Sequence, residues 1–187
     1  MQNFKSYLKD SFNFDDLEIE EICKCFQVKD LAKKDYFLKE GQYCKNIAFV
    51  EKGSLIYIQI IDGEEKVCDF AFENDWATQY KSLMGNIPSE ISIKALEGSR
   101  ILIMDMDKMD VLSDKMPKVN IIRSTLAEQY FTKSTQRESN LKNLEAKERY
   151  EVLLTEIPHI HQKVPQYYIA SFLGIKPQSL SRIRAEK

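Results

Sequence analysis

The chain has 187 residues, 43% of them hydrophobic and 30% charged, and carries a net charge of −2. That length and balance suit one or two globular domains with real cores, and exclude a disordered, collagenous or strongly basic chain. No apolar run approaches the length of a membrane span and polar residues follow Met1, so a cytoplasmic protein with no membrane partner is expected.

From Met1 to Cys25 the sequence reads as helical. Phe4, Tyr7 and Leu8 share one face, and Leu17 to Phe26 forms a second amphipathic run behind the acidic Asp15-Asp16 start. From Val28 the period changes, and short apolar strings alternate with turn signals. Tyr36-Phe37-Leu38 precedes Gly41, Ile47 to Val50 precedes Gly53, and Leu55 to Ile61 precedes Asp62-Gly63. The Asp-Gly pair predicts a hairpin, because both central residues of the favoured turn need positive φ. Further strands are predicted at Val67–Phe72, Ile91–Ala95 and Arg100–Met104, and Asp107 to Lys115 reads as a short helix. Short strands punctuated by glycine turns point to a closed or double-sheet β architecture rather than βαβ units.

Pro117 opens a longer helix with Val119, Ile122, Leu126 and Tyr130 at three- and four-residue steps, either a dimer seam or an internal packing face. It turns polar over Lys133–Arg137, and a hinge is expected at Glu138–Asn143. A third helix spans Ala146 to Glu156, and Pro158 follows it. The predicted units are thus residues 1–116, a central helix at 117–141, and 142–187.

Four cysteines, at 23, 25, 44 and 68, show no CxxC pair and no zinc-ligand spacing, so reduced thiols are expected. The two histidines, His159 and His161, lie outside the β region, and there is no nucleophile–base arrangement and no phosphate loop. No catalytic residues and no metal site are therefore assigned, and an enzyme is not expected. Charge is uneven: from Lys142 onward eight Lys and Arg face five Glu, leaving −5 on the residues before it. A basic end behind an acidic front fits a DNA-binding tail.

The most informative stretch is Pro165 to Lys187. Ala170 is small enough for two helices to cross closely, Gly174 supplies a left-handed turn, and Leu180 and Ile183 share a face of the helix that Pro177 opens. This is the spacing of a helix-turn-helix core. The outward face then carries Lys176, Gln178, Ser181, Arg182 and Ala185, whose polar members suit base edges in a major groove. Gln166, Tyr167, Ser179 and Arg184 are assigned to phosphates, and Lys163 to the DNA backbone. An ordinary helical hairpin with a solvated polar face is the alternative.

A β-rich front, a long helix and a terminal helix-turn-helix together resemble the cyclic-AMP receptor protein and Fnr (Crp–Fnr) family of bacterial transcription regulators. The resemblance rests on Lys39-Glu40-Gly41, Phe49-Val50-Glu51-Lys52-Gly53, Asp62-Gly63 and the Tyr167 to Arg184 motif. It implies an α+β fold: an N-terminal cyclic-nucleotide-binding-type β-roll, a double-sheet jelly roll with flanking helices, then a long central dimerisation helix and a C-terminal helix-turn-helix. It also implies a homodimer paired through residues 117–137, with double-stranded DNA and RNA polymerase as partners. In nucleotide-binding members a cassette with a Gly-Glu and then an Arg-Ser pair cradles the cyclic phosphate. Here Ser89 stands at the arginine position and Glu90 at the serine position, so cyclic AMP is not expected to bind as in the type member.

No cofactor is assigned. An unidentified small-molecule effector in the roll would meet Trp76, Gln79, Ser89, Glu90, Ser134 and Thr135, the last two falling where the family's central helix touches the nucleotide base. Trp76 as a core aromatic, and Ser134 and Thr135 as a solvated helix surface, are the alternatives. The family usually continues into a β wing, whereas this sequence ends four residues after Ile183, so DNA contact without a wing is expected. A small-molecule sensor acting through protein contacts is the competing function.

Overall fold

In a computed structural model, residues 1–185 are described; Glu186 and Lys187, the end of the predicted 142–187 unit, lie outside the described residues. Helices α1 (Gln2–Phe12) and α2 (Asp16–Cys25) come first. α2 begins where it does because Asp15 and Glu18 form a reciprocal capping box across its first turn.

The roll follows as β1 (Gln27–Leu31), β2 (Tyr36–Leu38), β3 (Asn46–Lys52), β4 (Leu55–Ile61), β5 (Glu64–Ala71), β6 (Trp76–Ala77), β7 (Ser92–Ala95) and β8 (Ser99–Asp105), with α3 (Tyr80–Gly85) between β6 and β7. They make two four-stranded antiparallel sheets, ordered β1-β8-β3-β6 and β2-β7-β4-β5. This is the expected double-sheet roll. β1, β6 and α3 are additions to the predicted elements.

Along β3 and the first half of β4 both faces are buried, which is why these stretches read as unbroken apolar runs. In β3, Ala48 and Val50 point into the roll while Ile47 and Phe49 pack outward against α1 and α2. In β4, Leu55 and Tyr57 point inward and Ile56 and Ile58 outward. The predicted hairpin joins β4 to β5, with Asp62 at φ 52° and Gly63 at φ 79°. Further along, Tyr57 pairs Asp69 but Ile58 pairs Val67, leaving Cys68 bulged. The extra residue shifts the alternation, so that Val67 and Phe70, three apart, join the same outer cluster.

After β8 come α4 (Met106–Lys115), a 3₁₀ turn at Pro117–Val119, and α5 (Asn120–Asn143). Val119, Ile122 and Leu126 are buried in one cluster with Phe4, Leu8, Ile19, Ile22, Met109 and Leu112. Over these three residues the predicted stripe is a packing face within the subunit, which corrects a dimer seam drawn through them, whereas its fourth member, Tyr130, is 43% exposed and stacks on Tyr80. The expected hinge at Glu138–Asn143 is also corrected. α5 continues to Asn143, reinforced by Lys142–Glu138 and Gln136–Asn140 contacts one turn apart, and the chain bends at Leu144.

The C-terminal part holds α6 (Ala146–Glu156), α7 (Ile160–Lys163), α8 (Gln166–Phe172) and α9 (Pro177–Ala185). It packs on the outer face of the second sheet. Ile56, Ile58, Val67 and Phe70 share a core with Tyr150, Leu153, Ile169, Leu173 and Leu180. Polar contacts reinforce the seam: Ser171 accepts from the Val67 N–H at 3.0 Å, and the Tyr168 hydroxyl donates to Glu65 at 3.2 Å, which pairs Lys94 at 2.6 Å.

Candidate nucleic-acid interface and effector cavity

Two sites emerge, one on α9 and one between the roll and α5. α8 and α9 meet through the predicted corner. Gly174 sits at φ 69°, and the Ile175 N–H returns to the Ala170 carbonyl at 3.0 Å, closing the first helix as a left-handed cap does. Leu180 is fully buried and Ile183 packs against the same cluster. Lys176, Gln178, Ser179, Ser181, Arg182 and Arg184 are exposed.

The polar residues assigned to DNA are not equivalent. The Ser181 hydroxyl donates to the Pro177 carbonyl at 3.1 Å and accepts from the Gln166 amide at 2.7 Å, and Gln166 also receives Arg184 at 3.4 Å. Gln166, Ser181 and Arg184 thus tie the start of α8 to α9. The side chains of Lys176, Gln178 and Arg182 are exposed and make no polar contact among the described residues. Tyr167 is 55% exposed, its ring 4.1 Å from that of Tyr168. Lys163 is placed elsewhere: its ammonium lies 5.7 Å from the Phe72 ring centroid, facing the roll.

The second site is a cavity of about 760 Å³ along the edge strands β5 and β6, walled by α5 and reaching α6 and α8. Of the residues assigned to an effector, Trp76, Gln79 and Ser134 line it. Trp76 is at the same time a core residue, 7% exposed among Phe4, Phe26 and Phe49, with its indole N–H donated to Tyr7 at 3.1 Å. Trp76 is thus a core aromatic that also forms part of the cavity wall.

Three effector assignments are corrected. Ser89 is buried away from the cavity, with backbone bonds to Gly41 and Gln42 and its hydroxyl on the Ile91 carbonyl at 2.7 Å. Glu90 pairs Lys81 on the surface at 2.8 Å. Helix α3 lies in the β6–β7 connection, and the bonds to Gly41 and Gln42 hold Ser89 against the β2–β3 loop. Thr135 turns outward and bonds the carbonyls of Phe131 and Thr132, and Ser134 likewise bonds Phe131 at 3.1 Å.

Sequence reasoning missed the charged groups of the cavity. Asp69, beside the bulge, has its carboxyl raised by burial, opposed by Lys133 at 3.7 Å. Arg137 is held between α5, β5 and α8: one amine donates to the Val67 carbonyl at 3.0 Å, and the guanidinium lies 4.3 Å from the Phe172 ring centroid. Burial lowers its pKa. The signal available was a lone charged residue in each of two otherwise different settings, a strand and a polar helix surface, and neither is specific.

No known family model matches the sequence, and no curated protein matches it. Solved structures do. A CooA mutant from Carboxydothermus hydrogenoformans is 16% identical, with TM-score 0.73 over 96% of this chain and 83% of that one. FixK2 from Bradyrhizobium japonicum is 13% identical, with TM-score 0.74 over 86% and 83%. CLP from Xanthomonas campestris, described as a c-di-GMP responsive global regulator, is 13% identical, with TM-score 0.68 over 92% and 91%. The roll, the long helix and the terminal helices are thus arranged as in Crp–Fnr regulators, the fold that the resemblance implies.

Proposed function

We propose that the protein is a homodimeric DNA-binding transcription regulator of the Crp–Fnr kind, controlled by a small molecule other than conventionally bound cyclic AMP. The observation that carries this reading is the face of α9: Leu180 is buried and Ile183 packs beside it, while the side chains of Lys176, Gln178 and Arg182 are exposed and make no polar contact among the described residues. In a major groove Gln178 can pair with adenine and Arg182 with guanine, while Lys176, Ser179, Tyr167 and Arg184 reach phosphates or neighbouring bases. Gln166 and Ser181 set the angle between α8 and α9 through their mutual bond.

Dimerisation is assigned to the side of α5 turned away from the buried stripe. Phe131, 69% exposed, and Ile121, 41% exposed, are its large apolar residues, and two copies of the helix would cover them. The effector reading follows from the cavity beside Trp76 and from Ser89 and Glu90 lying outside it.

The test is Arg182→Ala, measured by fluorescence anisotropy on a selected duplex and on single-base variants of it. The expected loss is about 1–3 kcal/mol with relaxed preference at one base pair. Unchanged affinity and unchanged preference would remove α9 as the reader.

A further inference from the structure

The cavity between the roll, α5 and the C-terminal helices has an apolar wall and one guanidinium, that of Arg137, with a nitrogen that meets no acceptor among the described residues. Phe72, Trp76, Leu126, Leu141 and Phe172 are among its apolar lining. Its volume of about 760 Å³ falls in the range of sites for drug-sized ligands.

Most of the charged groups around it have a partner on the chain, and Lys163 stands over the Phe72 ring. Lys133 faces Asp69, Asp75 accepts the Phe72 N–H at 2.8 Å, and Arg149 donates to the carbonyls of Leu173 and Leu144 at 3.1 and 2.6 Å. Arg137 spends Nη2 on the Val67 carbonyl, but its Nη1 is buried with no hydrogen-bond acceptor among the described residues. Glu156 lines the same cavity without forming an ion pair with it. A buried guanidinium nitrogen without an acceptor is costly, and an anionic oxygen is the acceptor that offsets that cost best.

We propose that this cavity takes a small organic anion, with a carboxylate or phosphate head received by Nη1 of Arg137 and an apolar body lying along Phe72, Trp76, Leu126, Leu141 and Phe172. This deepens the effector reading above and rests on it. The anion receptor is on the central helix rather than in the strand connection that carries Ser89 and Glu90. Since Arg137 also touches Val67 of the roll and Phe172 of α8, the bound head joins the three parts whose relative placement sets the position of α9.

The test uses the full chain and the fluorescence of Trp76, its sole tryptophan, which lines the cavity. Octanoate, octyl phosphate, octanol and cyclic AMP are titrated below micelle-forming concentrations. Either anion is expected to bind roughly ten- to hundredfold more tightly than octanol, as a charge-assisted hydrogen bond to a buried group requires. The tighter of the two anions identifies the head. Arg137→Met should erase the advantage over octanol, and Arg137→Lys should keep part of it. Equal binding of octanol and the anions, an undiminished advantage in Arg137→Met, or tighter binding of cyclic AMP would overturn the proposal. Should Arg137→Met fail to fold by circular dichroism, the comparison of octanoate with octanol on the unaltered chain decides alone. DNA binding is measured separately without ligand. Intact DNA binding with no anion preference overturns only this inference, whereas anion preference without DNA binding overturns only the regulator reading.

Discussion

At the scale of single residues, much of the fold depends on backbone positions that tolerate one side chain. Gly53 ends β3 at φ 92°, and a Cβ there would stand 2.4 Å from the Ser99 hydroxyl and 2.8 Å from the Ser99 Cα. Gly63, at φ 79° in the β4–β5 turn, would meet open space. Gly53→Ala is therefore expected to cost about 1–3 kcal/mol or more, and Gly63→Ala less. Chemical denaturation of both variants checks the order, and equal losses would mean that the contact with Ser99 is relieved without cost. Both glycines, like Gly174, announce turns in the sequence because positive φ has a residue signature. Glu51 does not announce itself. It is buried because its carboxylate accepts the Asn3 and Phe4 N–H groups at 3.1 Å each, capping a helix that Met1 cannot cap. A cap supplied from 47 residues away in the chain leaves no local pattern. Arg137 is hidden for the same reason: its partners lie on two other elements.

At the scale of elements, periodicity locates helices and strands but not what they face. The stripe Val119, Ile122, Leu126 fits an intersubunit seam and an internal face equally well, and the structure shows it covered by α1, α2 and α4. The two faces of α5 should then respond differently to substitution. Ile122→Ala is expected to lose about 2–5 kcal/mol of stability by opening a cavity in that cluster. Phe131→Glu should leave the fold intact by circular dichroism and shift the protein from dimer to monomer in sedimentation velocity. A monomer in the unaltered chain, or a dimer undisturbed by Phe131→Glu, would place pairing elsewhere. The bulge at Cys68 shows a second limit. By strict alternation Val67 and Phe70 would face opposite sides, and only the inserted residue puts them together under α8. The short β1, β6 and α7 lack enough residues to establish a period at all. The terminal helix pair is the opposite case, because Ala170, Gly174, Leu180 and Ile183 act within one local unit and its geometry follows from their spacing.

At the scale of the whole molecule, the C-terminal helices are docked on the roll through a shared apolar core that includes Phe70, Leu153, Ile169 and Leu173. Each side chain fully buried there contributes roughly 1.5–3 kcal/mol, so the roll and the terminal helices are coupled through packing rather than through a free linker. The cavity lies along that junction, with Arg137 touching both sides, which gives a ligand a physical route to the orientation of α9. The roll architecture and the helix pair were legible in the sequence, but the docking was not, since it depends on which outer sheet face the helices choose. The most direct measurement is selection of duplexes from a random pool by the full chain, followed by sedimentation of the complex with the enriched site. The expected result is a two-fold symmetric site with half-sites about 34 Å apart, bound by two chains per duplex, with affinity falling steeply with salt. No enrichment and no duplex binding at low salt, or one chain on an asymmetric site, would contradict a dimer that reads DNA with paired copies of α9.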